Sequence, residues 1–210
     1  MADWVTISAL ATAGGTMALA AATFASVRSA NRAARAAEQS LLEGLRPLLL
    51  PSRPGDPPQD IGFADDRVLH VEGGEGAAEL GEEAVYLGMG VRNVGSGIAV
   101  LHGWFFFPSL RRGVQEGPAP LEDFHRLTRD LYIASGDVGF WQGSFRDPDS
   151  EEFAQAREAI EANQPFTVDL LYGDHAGGQR TVSRFALLPG DGKLIATIGR
   201  HWNIDRPDPR

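Results

Sequence analysis

The stretch that most constrains this chain is residues 4–27, which contain no charged residue. Asp3 precedes the stretch and Arg28 follows it. A helix rises about 1.5 Å per residue, so these 24 residues reach roughly 36 Å, more than the roughly 30 Å hydrocarbon core of a bilayer. A soluble helix of this length would carry a charged face. The sequence therefore predicts a single-pass transmembrane helix over residues 1–27.

Two other interpretations of this stretch stay open. The first is an alanine-rich helix of a soluble protein, since alanine and threonine contribute little to membrane insertion. The second is a cleaved signal peptide, because residues 18–20 form an Ala-x-Ala triplet. However, no Lys or Arg precedes the apolar run, which is also longer than the usual signal-peptide core. We therefore prefer the membrane span.

Flanking charge predicts the orientation of the span in the cell membrane. Arg28, Arg32 and Arg35 follow the span directly, whereas Asp3 is the one charged residue before it. The positive-inside rule therefore places residues 28–210 in the cytoplasm. The three arginines form a basic membrane collar that could bind lipid phosphates, so a lipid-proximal sensor is one possible function.

Small residues recur every four positions within the span and lie along one side of the helix. This small-residue row consists of Gly14, Ala18, Ala22 and Ser26. Small side chains let two helix backbones approach closely in lipid. We expect the row to pack against a second copy or a partner helix, although an alanine-rich helix also produces such rows by chance.

Residues 28–46 are predicted to continue the helix as a juxtamembrane stalk that ends near Gly44 and Pro47. An apolar stripe follows the stalk: Ala30, Ala33, Ala34, Ala37, Leu41 and Leu45. The stalk either pairs in a homo-oligomer or lies against its own domain. The stripe is too short to establish a coiled coil.

Composition excludes several classes of function for residues 47–210. This part of the chain has a net charge of −10 and contains no cysteine. The charge disfavours nucleic acid as a partner. The absence of cysteine excludes disulfides, thiolate metal sites and a cysteine nucleophile.

Residues 47–210 show the alternation of short β-strands. The clearest strand is 84–94, where Val85, Leu87, Met89 and Val91 share one face. Further strands are predicted at 48–50, 67–71, 98–107, 127–133, 139–144, 166–172, 180–188 and 194–202. Residues 51–66 and 72–83 are predicted loops. One helix is predicted to start at Asp147 and Pro148.

The sequence therefore predicts a mainly β fold. An N-terminal transmembrane and stalk helix is followed by an antiparallel, immunoglobulin-like β-sandwich with one short helix.

Five short pieces of this sequence carry a resemblance to one group of proteins. They are 45–47 (Leu-Arg-Pro), 93–97 (Asn-Val-Gly-Ser-Gly), 171–174 (Leu-Tyr-Gly-Asp), 180–185 (Arg-Thr-Val-Ser-Arg-Phe) and 200–207 (Arg-His-Trp-Asn-Ile-Asp-Arg-Pro). The chain resembles uncharacterised actinobacterial single-pass membrane proteins. That resemblance implies a span, an Arg-rich helix and a C-terminal β-sandwich. It implies no activity.

The C-terminal segment holds the densest group of candidate ligand-binding residues: Arg200, His201, Trp202, Asp205 and Arg206. In an extended strand, Arg200 and Trp202 share one face. Guanidinium groups beside an aromatic ring could hold a carboxylate or phosphate. In the alternative interpretation, Trp202 packs in the core and Asp205 pairs with Arg206 or Arg184.

A second cluster contains Asp169, Asp174 and His175, and it would lie near His201 if the strands pair in order. Such groups could bind a metal, but residues 174–178 also have the sequence of an ordinary hairpin turn. We therefore assign no metal site and no cofactor. No catalytic residue is assigned either, because no nucleophile motif is present.

The sequence therefore favours a membrane-anchored, non-enzymatic interaction or accessory module with a protein partner or a second copy. The alternative is a small-ligand-binding or hydrolytic domain that uses Asp174, His175, Arg200 and His201.

Overall fold

A computed structural model describes residues 3–111 and 117–206. The chain divides into two compact units, residues 1–44 and 45–210. The first unit is one helix, α1 (Trp4–Gly44), of 41 residues. The predicted span and stalk therefore belong to a single uninterrupted helix, which ends at the expected glycine.

Threonine hydroxyls in the first part of α1 are satisfied within the helix. Thr12, Thr16 and Thr23 donate to the carbonyl oxygens four residues earlier, at 2.8–2.9 Å. An unpaired hydroxyl is costly in hydrocarbon, so these bonds suit a helix surrounded by lipid. In the described residues, α1 is the one helix long and apolar enough to cross a membrane, and a signal sequence near the N-terminus would meet the same criterion.

The second unit is a β domain. Its described strands are β1 (Leu49–Pro51), β2 (Gln59–Gly62), β3 (Val68–Val71), β4 (Glu75–Leu80), β5 (Val85–Asn93), β6 (Ala99–Phe107), β7 (His125–Ile133), β8 (Val138–Phe145), β9 (Phe166–Asp174), β10 (Arg180–Gly190) and β11 (Lys193–Asn203). Helix α2 covers Glu151–Glu161, and a 3-10 turn covers Leu121–Asp123.

Nine strands form one antiparallel hydrogen-bonded network. Eight follow the order β1-β5-β4-β11-β10-β9-β6-β7, and β8 pairs with β5. Side chains of β5 and β8 share one core with those of β6, β9 and β10, and α2 contributes to it. The mainly β class with antiparallel strands, one N-terminal helix and one short helix is confirmed. The immunoglobulin-like arrangement stays a prediction.

The predicted alternation of β5 is confirmed, but both faces of the strand are buried, since Tyr86 packs in a second cluster with Ile61 and Phe63. Val85, Leu87, Met89 and Val91 are all fully buried in the main core. The largest fully buried side chain is that of Trp141 on β8. Burial of such side chains is the main favourable contribution to folding, at about 25 cal/mol per Å² of apolar surface.

Two strands lie where loops were expected. β2 pairs with β3 as a separate hairpin, and β4 pairs with both β5 and β11. The prediction of loops was wrong there because these strands carry few apolar side chains of their own. At Gly76 in β4, an added Cβ would lie 2.3 Å from Leu187 Cδ2, so this glycine makes room for the Leu187 side chain.

The start of α2 also differs from the prediction. Ser150, not Asp147, is the N-cap, and its hydroxyl oxygen accepts the N–H of Phe153 at 3.3 Å. Asp147 instead accepts the N–H of Asp149 at 3.2 Å, which forms a turn that contains Pro148 before the helix. The side chain of Asp147 was therefore assigned to the wrong local motif, because Asp favours both turns and helix caps.

Candidate functional site

Several polar contacts surround residues 45–49, which we call the leading segment because they begin the second unit. Arg46 Nη1 donates to Asn203 Oδ1 at 3.0 Å and to Thr181 Oγ1 at 3.3 Å. Both terminal guanidinium nitrogens also contact the Asp205 carboxylate, the shorter distance being 2.6 Å. The first residues of the domain are therefore bonded to its last strand and to the residues after it.

Asp205 is the acceptor at which these contacts meet. It also accepts the backbone N–H of Arg180 at 3.0 Å. Burial opposes the ionisation of Asp205, but the hydrogen bonds from Arg46 and from the Arg180 backbone outweigh it and hold the pKa of Asp205 below its usual value. The side chains of Arg46 and Asp205 are 15% and 20% exposed, and charge-assisted hydrogen bonds of this kind are stronger than neutral ones.

Asn93 is the second anchor of the leading segment, and it is fully buried. Its Oδ1 accepts the N–H groups of Leu48 at 3.2 Å and Gly95 at 3.0 Å. Its Nδ2 donates to the carbonyl oxygens of Gly97 at 2.6 Å and Ile133 at 3.0 Å. All principal hydrogen-bonding positions of this amide are therefore used.

Gly95 and Gly97 are needed because the backbone of the leading segment lies directly against them. A Cβ at Gly97 would lie 1.7 Å from the Leu45 carbonyl oxygen, and one at Gly95 would lie 2.3 Å from the Arg46 carbonyl oxygen. No L side chain fits at these distances. The Asn-Val-Gly-Ser-Gly piece, predicted only as a turn, is therefore also the surface on which the leading segment rests.

A buried hydrogen-bond chain holds the end of the leading segment. The Leu49 N–H donates to the Tyr172 hydroxyl at 3.1 Å, which lies 2.8 Å from Ser183 Oγ. Ser183 Oγ in turn lies 2.5 Å from His201 Nδ1. We call Arg46, Asn93, Tyr172 and Asp205, the residues that hold the leading segment, the clamp.

Tyr172, a residue of the clamp, is expected to titrate at an unusually high pH. Burial raises the pKa of Tyr172 to about 12, although hydrogen bonds from Ser183 and Leu49 lower it in part. Because the ordinary value is 10.0, the unfolded chain loses this proton first. Stability is therefore intact below pH 10 and declines as the pH rises towards 12.

Absorbance titration at 295 nm, with the Tyr172→Phe variant as reference, measures this ionisation. We expect the difference between the two proteins to appear only near pH 12. A Tyr172 phenol that titrates near pH 10 in the folded protein would contradict the buried hydrogen-bond chain.

A second buried cluster lies close to the clamp in sequence. Arg184 contacts Asp169 through two N–O distances of 2.7 and 2.8 Å, and both side chains are almost fully buried. The Arg184 guanidinium carbon lies 5.0 Å from the Phe107 ring centroid and 4.8 Å from that of Trp202. Arg200 also lies over Trp202, at 5.4 Å. These cation–π contacts give Trp202 a packing role.

The structure does not bring Asp174 and His175 together with His201. Strands β9, β10 and β11 pair in the expected order, but His201 is aligned with Ser183, and Ser183 with Leu170. Asp174 lies four residues further along β9 than Leu170, which corresponds to roughly 13 Å. The expected proximity depended on the register, which the sequence did not define.

Asp174 is the last residue of β9, and His175 begins the turn that follows it. Asp174 Oδ1 accepts the Gly178 N–H at 2.9 Å, and the Asp174 carbonyl accepts the Gly177 N–H at 3.2 Å. The alternative prediction of a hairpin turn at 174–178 therefore describes the local structure. His175 is exposed within this turn.

The C-terminal candidates are also placed in structural contacts. Trp202 is 7% exposed, as expected for a core residue. The Asp205 carboxylate pairs with Arg46, while Arg184, one of its two expected partners, pairs with Asp169. Arg206 is exposed, and position 207 of the same sequence piece lies outside the described residues.

The chemistry available to these groups is limited by access. Ser183 and His201 form a hydroxyl–imidazole contact of the kind that activates a nucleophile. However, Ser183 is fully buried and also contacts Tyr172, so a substrate cannot reach its oxygen. Among residues 3–111 and 117–206, no group of three or more His, Asp or Glu side chains could hold a metal ion.

The remaining candidates lie on α1. The collar residues Arg28, Arg32 and Arg35 recur at helical spacing and are exposed. The small-residue row is exposed as well: Gly14, Ala18, Ala22 and Ser26. Their roles depend on the membrane and on other chains, and they stay predictions.

Sequence reasoning missed the main connections of the clamp. Arg46, Tyr172 and Ser183 lie in three of the short pieces that carry the proposed resemblance, at 45–47, 171–174 and 180–185. The position of each residue in the sequence did not indicate its hydrogen-bond partner. The presence of all these pieces in one sequence was the available signal for the clamp. In the structure they meet around the leading segment: 45–47, 93–97, 171–174, 180–185 and 200–206.

The fold and the clamp together define a class of protein: a long apolar N-terminal helix followed by an antiparallel β domain whose first segment is held by its last strand. A scan against protein-family models finds no match for the chain. A search of curated proteins finds no match either.

Proposed function

We propose that the chain is a single-pass membrane protein and that its β domain is a non-enzymatic interaction or accessory module at the cytoplasmic face of the cell membrane. The observation that carries the proposal is the first part of α1, which is uncharged, exposed and internally hydrogen-bonded. Anchoring confines the β domain to the membrane plane and raises its effective concentration for partners there.

The use of the candidate ligand residues supports a non-enzymatic role. Asp205 and His201 take part in contacts around the leading segment, and Asp174 closes a turn. The resemblance to actinobacterial single-pass membrane proteins, which we retain as a proposal, agrees with this architecture. The collar at Arg28, Arg32 and Arg35 supports a cytoplasmic domain through the positive-inside rule.

Membrane insertion predicts a position-dependent effect of charge. Leu19→Arg should release a large fraction of the full-length protein into the alkaline carbonate supernatant, because an arginine near the centre of a span costs about 2.5–3.5 kcal/mol. Leu41→Arg is the matched control: Leu19 is 70% exposed and Leu41 64%, but Leu41 lies in the predicted stalk. The control should remain in the membrane pellet.

Two results would contradict the anchor. One is wild-type protein extracted by carbonate, and the other is mature protein that begins at or after residue 21, as cleavage after the triplet at 18–20 would give. Protease treatment of sealed inverted vesicles tests the orientation separately. The β domain should be degraded in inverted vesicles and protected in right-side-out spheroplasts.

Lateral pairing of α1 with a second copy is the homo-oligomer component of the proposal. The chain contains no cysteine, so single cysteines can be introduced without background. Ala37→Cys lies on the apolar stripe, and Arg35→Cys lies about 160° around the helix from it. In native membranes we expect oxidative crosslinking at Ala37→Cys and much less at Arg35→Cys.

Equal crosslinking at both positions would indicate random collision and would contradict a specific helix pair. If neither position crosslinks, the partner is another protein. In that case, in-cell photo-crosslinking of the full-length chain should capture a protein whose capture is lost when residues 1–27 are removed.

The alternative function, ligand binding or hydrolysis at the C-terminal strand, draws on one observation. Arg200 is stacked over Trp202 at 5.4 Å, close in sequence to the exposed Arg206. Binding of an anionic ligand there should be lost in Arg200→Ala while the thermal midpoint is retained. A parallel loss of stability would assign Arg200 a packing role instead.

A further inference from the structure

The three collar arginines lie on one face of α1. An α-helix turns by about 100° per residue, so Arg28, Arg32 and Arg35 fall within about 60° of one another around the helix axis. They line one depression on the helix surface together with three neighbours. We call the six lining residues the arginine face: Phe24, Val27, Arg28, Asn31, Arg32 and Arg35.

The collar arginines have no acidic partner within the described residues. None of the three forms an ion pair there, whereas at least six arginines of the β domain do. No Asp or Glu occurs in the sequence between Asp3 and Glu38. The positive charges of the collar therefore lie together on an exposed helix face, which favours an anionic occupant from outside the chain.

The order of the side chains along the arginine face matches the order of groups in a phospholipid. Phe24 and Val27 are exposed and lie on the side of the span, where the acyl chains are. Arg28 is the first residue after the uncharged run, at the level of the lipid headgroups. Side chains of a helix lean towards its N-terminus, which is the membrane side here. The long side chains of Arg32 and Arg35 therefore extend back towards the lipid phosphates.

Pairing of α1 along the apolar stripe would leave the arginine face in contact with lipid. Arg35 lies about 160° around the helix from Ala37, which belongs to the stripe. A helix pair joined along the stripe therefore directs the arginines of both copies outward. Lipid binding and helix pairing use different sides of α1 and do not compete.

We propose that the arginine face binds the headgroup of an anionic phospholipid, with the acyl chains of that lipid against Phe24. Guanidinium groups suit this ligand because they form bidentate, charge-assisted hydrogen bonds with phosphate oxygens. An acidic protein surface would not approach from the membrane side, towards which the arginines lean, and would not match the apolar side chains there. This inference rests on the proposed membrane anchor, and it assigns the collar a ligand in addition to its effect on orientation.

The test uses the full-length protein reconstituted in phosphatidylcholine bilayers that contain a trace of spin-labelled lipid. The motionally restricted component of the electron paramagnetic resonance spectrum measures the association of the labelled lipid with the protein. Phosphatidylglycerol should associate about fivefold more strongly than phosphatidylcholine, the ratio that corresponds to about 1 kcal/mol. This preference should disappear when Arg28→Gln, Arg32→Gln and Arg35→Gln are combined.

An exchange of two neighbouring residues is the matched control for charge. Arg28→Ser combined with Ser29→Arg keeps the composition, the net charge and nearly the same depth, but it moves one guanidinium group about 100° around the helix. The preference for phosphatidylglycerol should fall as far as it does in Arg28→Gln alone. A preference equal to that of the wild type would show that only the total charge near the membrane matters, and it would overturn the inference.

Inorganic phosphate distinguishes a lipid headgroup from a free anion. Replacing chloride by phosphate at constant ionic strength should leave the lipid preference unchanged, because the free ion makes no contact with Phe24. Loss of the preference in phosphate would assign the arginine face to a soluble anion and would overturn the lipid site. If the wild-type protein resists carbonate extraction but shows no lipid preference, the proposed anchor stands and the lipid site alone fails.

Discussion

Asp169→Ala is expected to destabilise the β domain by about 3–5 kcal/mol, the usual cost of removing one partner from a buried ion pair. The Asp169 carboxylate is fully buried, and the Arg184 side chain is 5% exposed. The substitution would leave the Arg184 guanidinium buried without a countercharge between two aromatic rings. It also removes the acceptor for the Ala119 N–H, which lies 3.3 Å from Asp169 Oδ2. Both losses favour the unfolded chain.

Urea denaturation of the full-length protein in detergent, followed by tryptophan fluorescence, measures this change. Asp169→Asn should have a smaller effect, because the amide still accepts a hydrogen bond from Arg184. Glu161→Ala is the matched exposed control: its partner Arg157 lies at 3.2 Å, and the two side chains are 34% and 56% exposed. That pair should contribute less than about 1 kcal/mol. Equal effects of Asp169→Ala and Glu161→Ala would show that the buried pair adds nothing specific.

The sequence was sufficient to predict those elements of the fold that a local pattern of residues determines. The uncharged run at 4–27 predicted the long apolar helix, because a soluble helix would need a polar face. The alternation at Val85, Leu87, Met89 and Val91 predicted a strand with these four side chains on one face, because side chains in a strand repeat with a period of two. These features depend only on neighbours in the chain.

The clamp could not be predicted because its partners are distant in sequence. Arg46 and Asp205 are 159 residues apart, and nothing local to either residue specifies the other. Strand β4 was missed for a related reason. Its alanine and glycine residues are ordered by pairing with β5 and β11 rather than by burying large side chains of their own. The predicted proximity of Asp174 to His201 was wrong because it depended on the strand register, which long-range packing determines.

The same physical difference explains why the pieces on which the proposed resemblance is based are informative together. Each piece has an ordinary local structure, either a turn or a strand. In three dimensions they contact one another through Asn93, Tyr172 and Asp205 around the leading segment. Their joint presence in a sequence therefore predicts the clamp better than any single motif does, and the prediction concerns stability rather than catalysis.

Asn93→Ala is expected to cost about 3 kcal/mol or more, because a buried group that loses its partner costs about 1–3 kcal/mol. The substitution removes partners from the N–H groups of Leu48 and Gly95 and from the carbonyl oxygens of Gly97 and Ile133. The leading segment should lose order first, since one of these bonds is made directly to it. Hydrogen exchange should therefore accelerate at Leu48 before it does in the core strands.

Ser96→Ala is the matched control in the same turn, because Ser96 is exposed and its replacement should change stability by no more than about 0.5 kcal/mol. Gly97→Ala keeps Asn93 but introduces a Cβ that would lie 1.7 Å from the Leu45 carbonyl oxygen. It should accelerate exchange at Leu48 as Asn93→Ala does, because both changes displace the leading segment. If Asn93→Ala behaves like Ser96→Ala instead, then Arg46 and Tyr172 hold the leading segment without the asparagine, and the turn at 93–97 is only a turn.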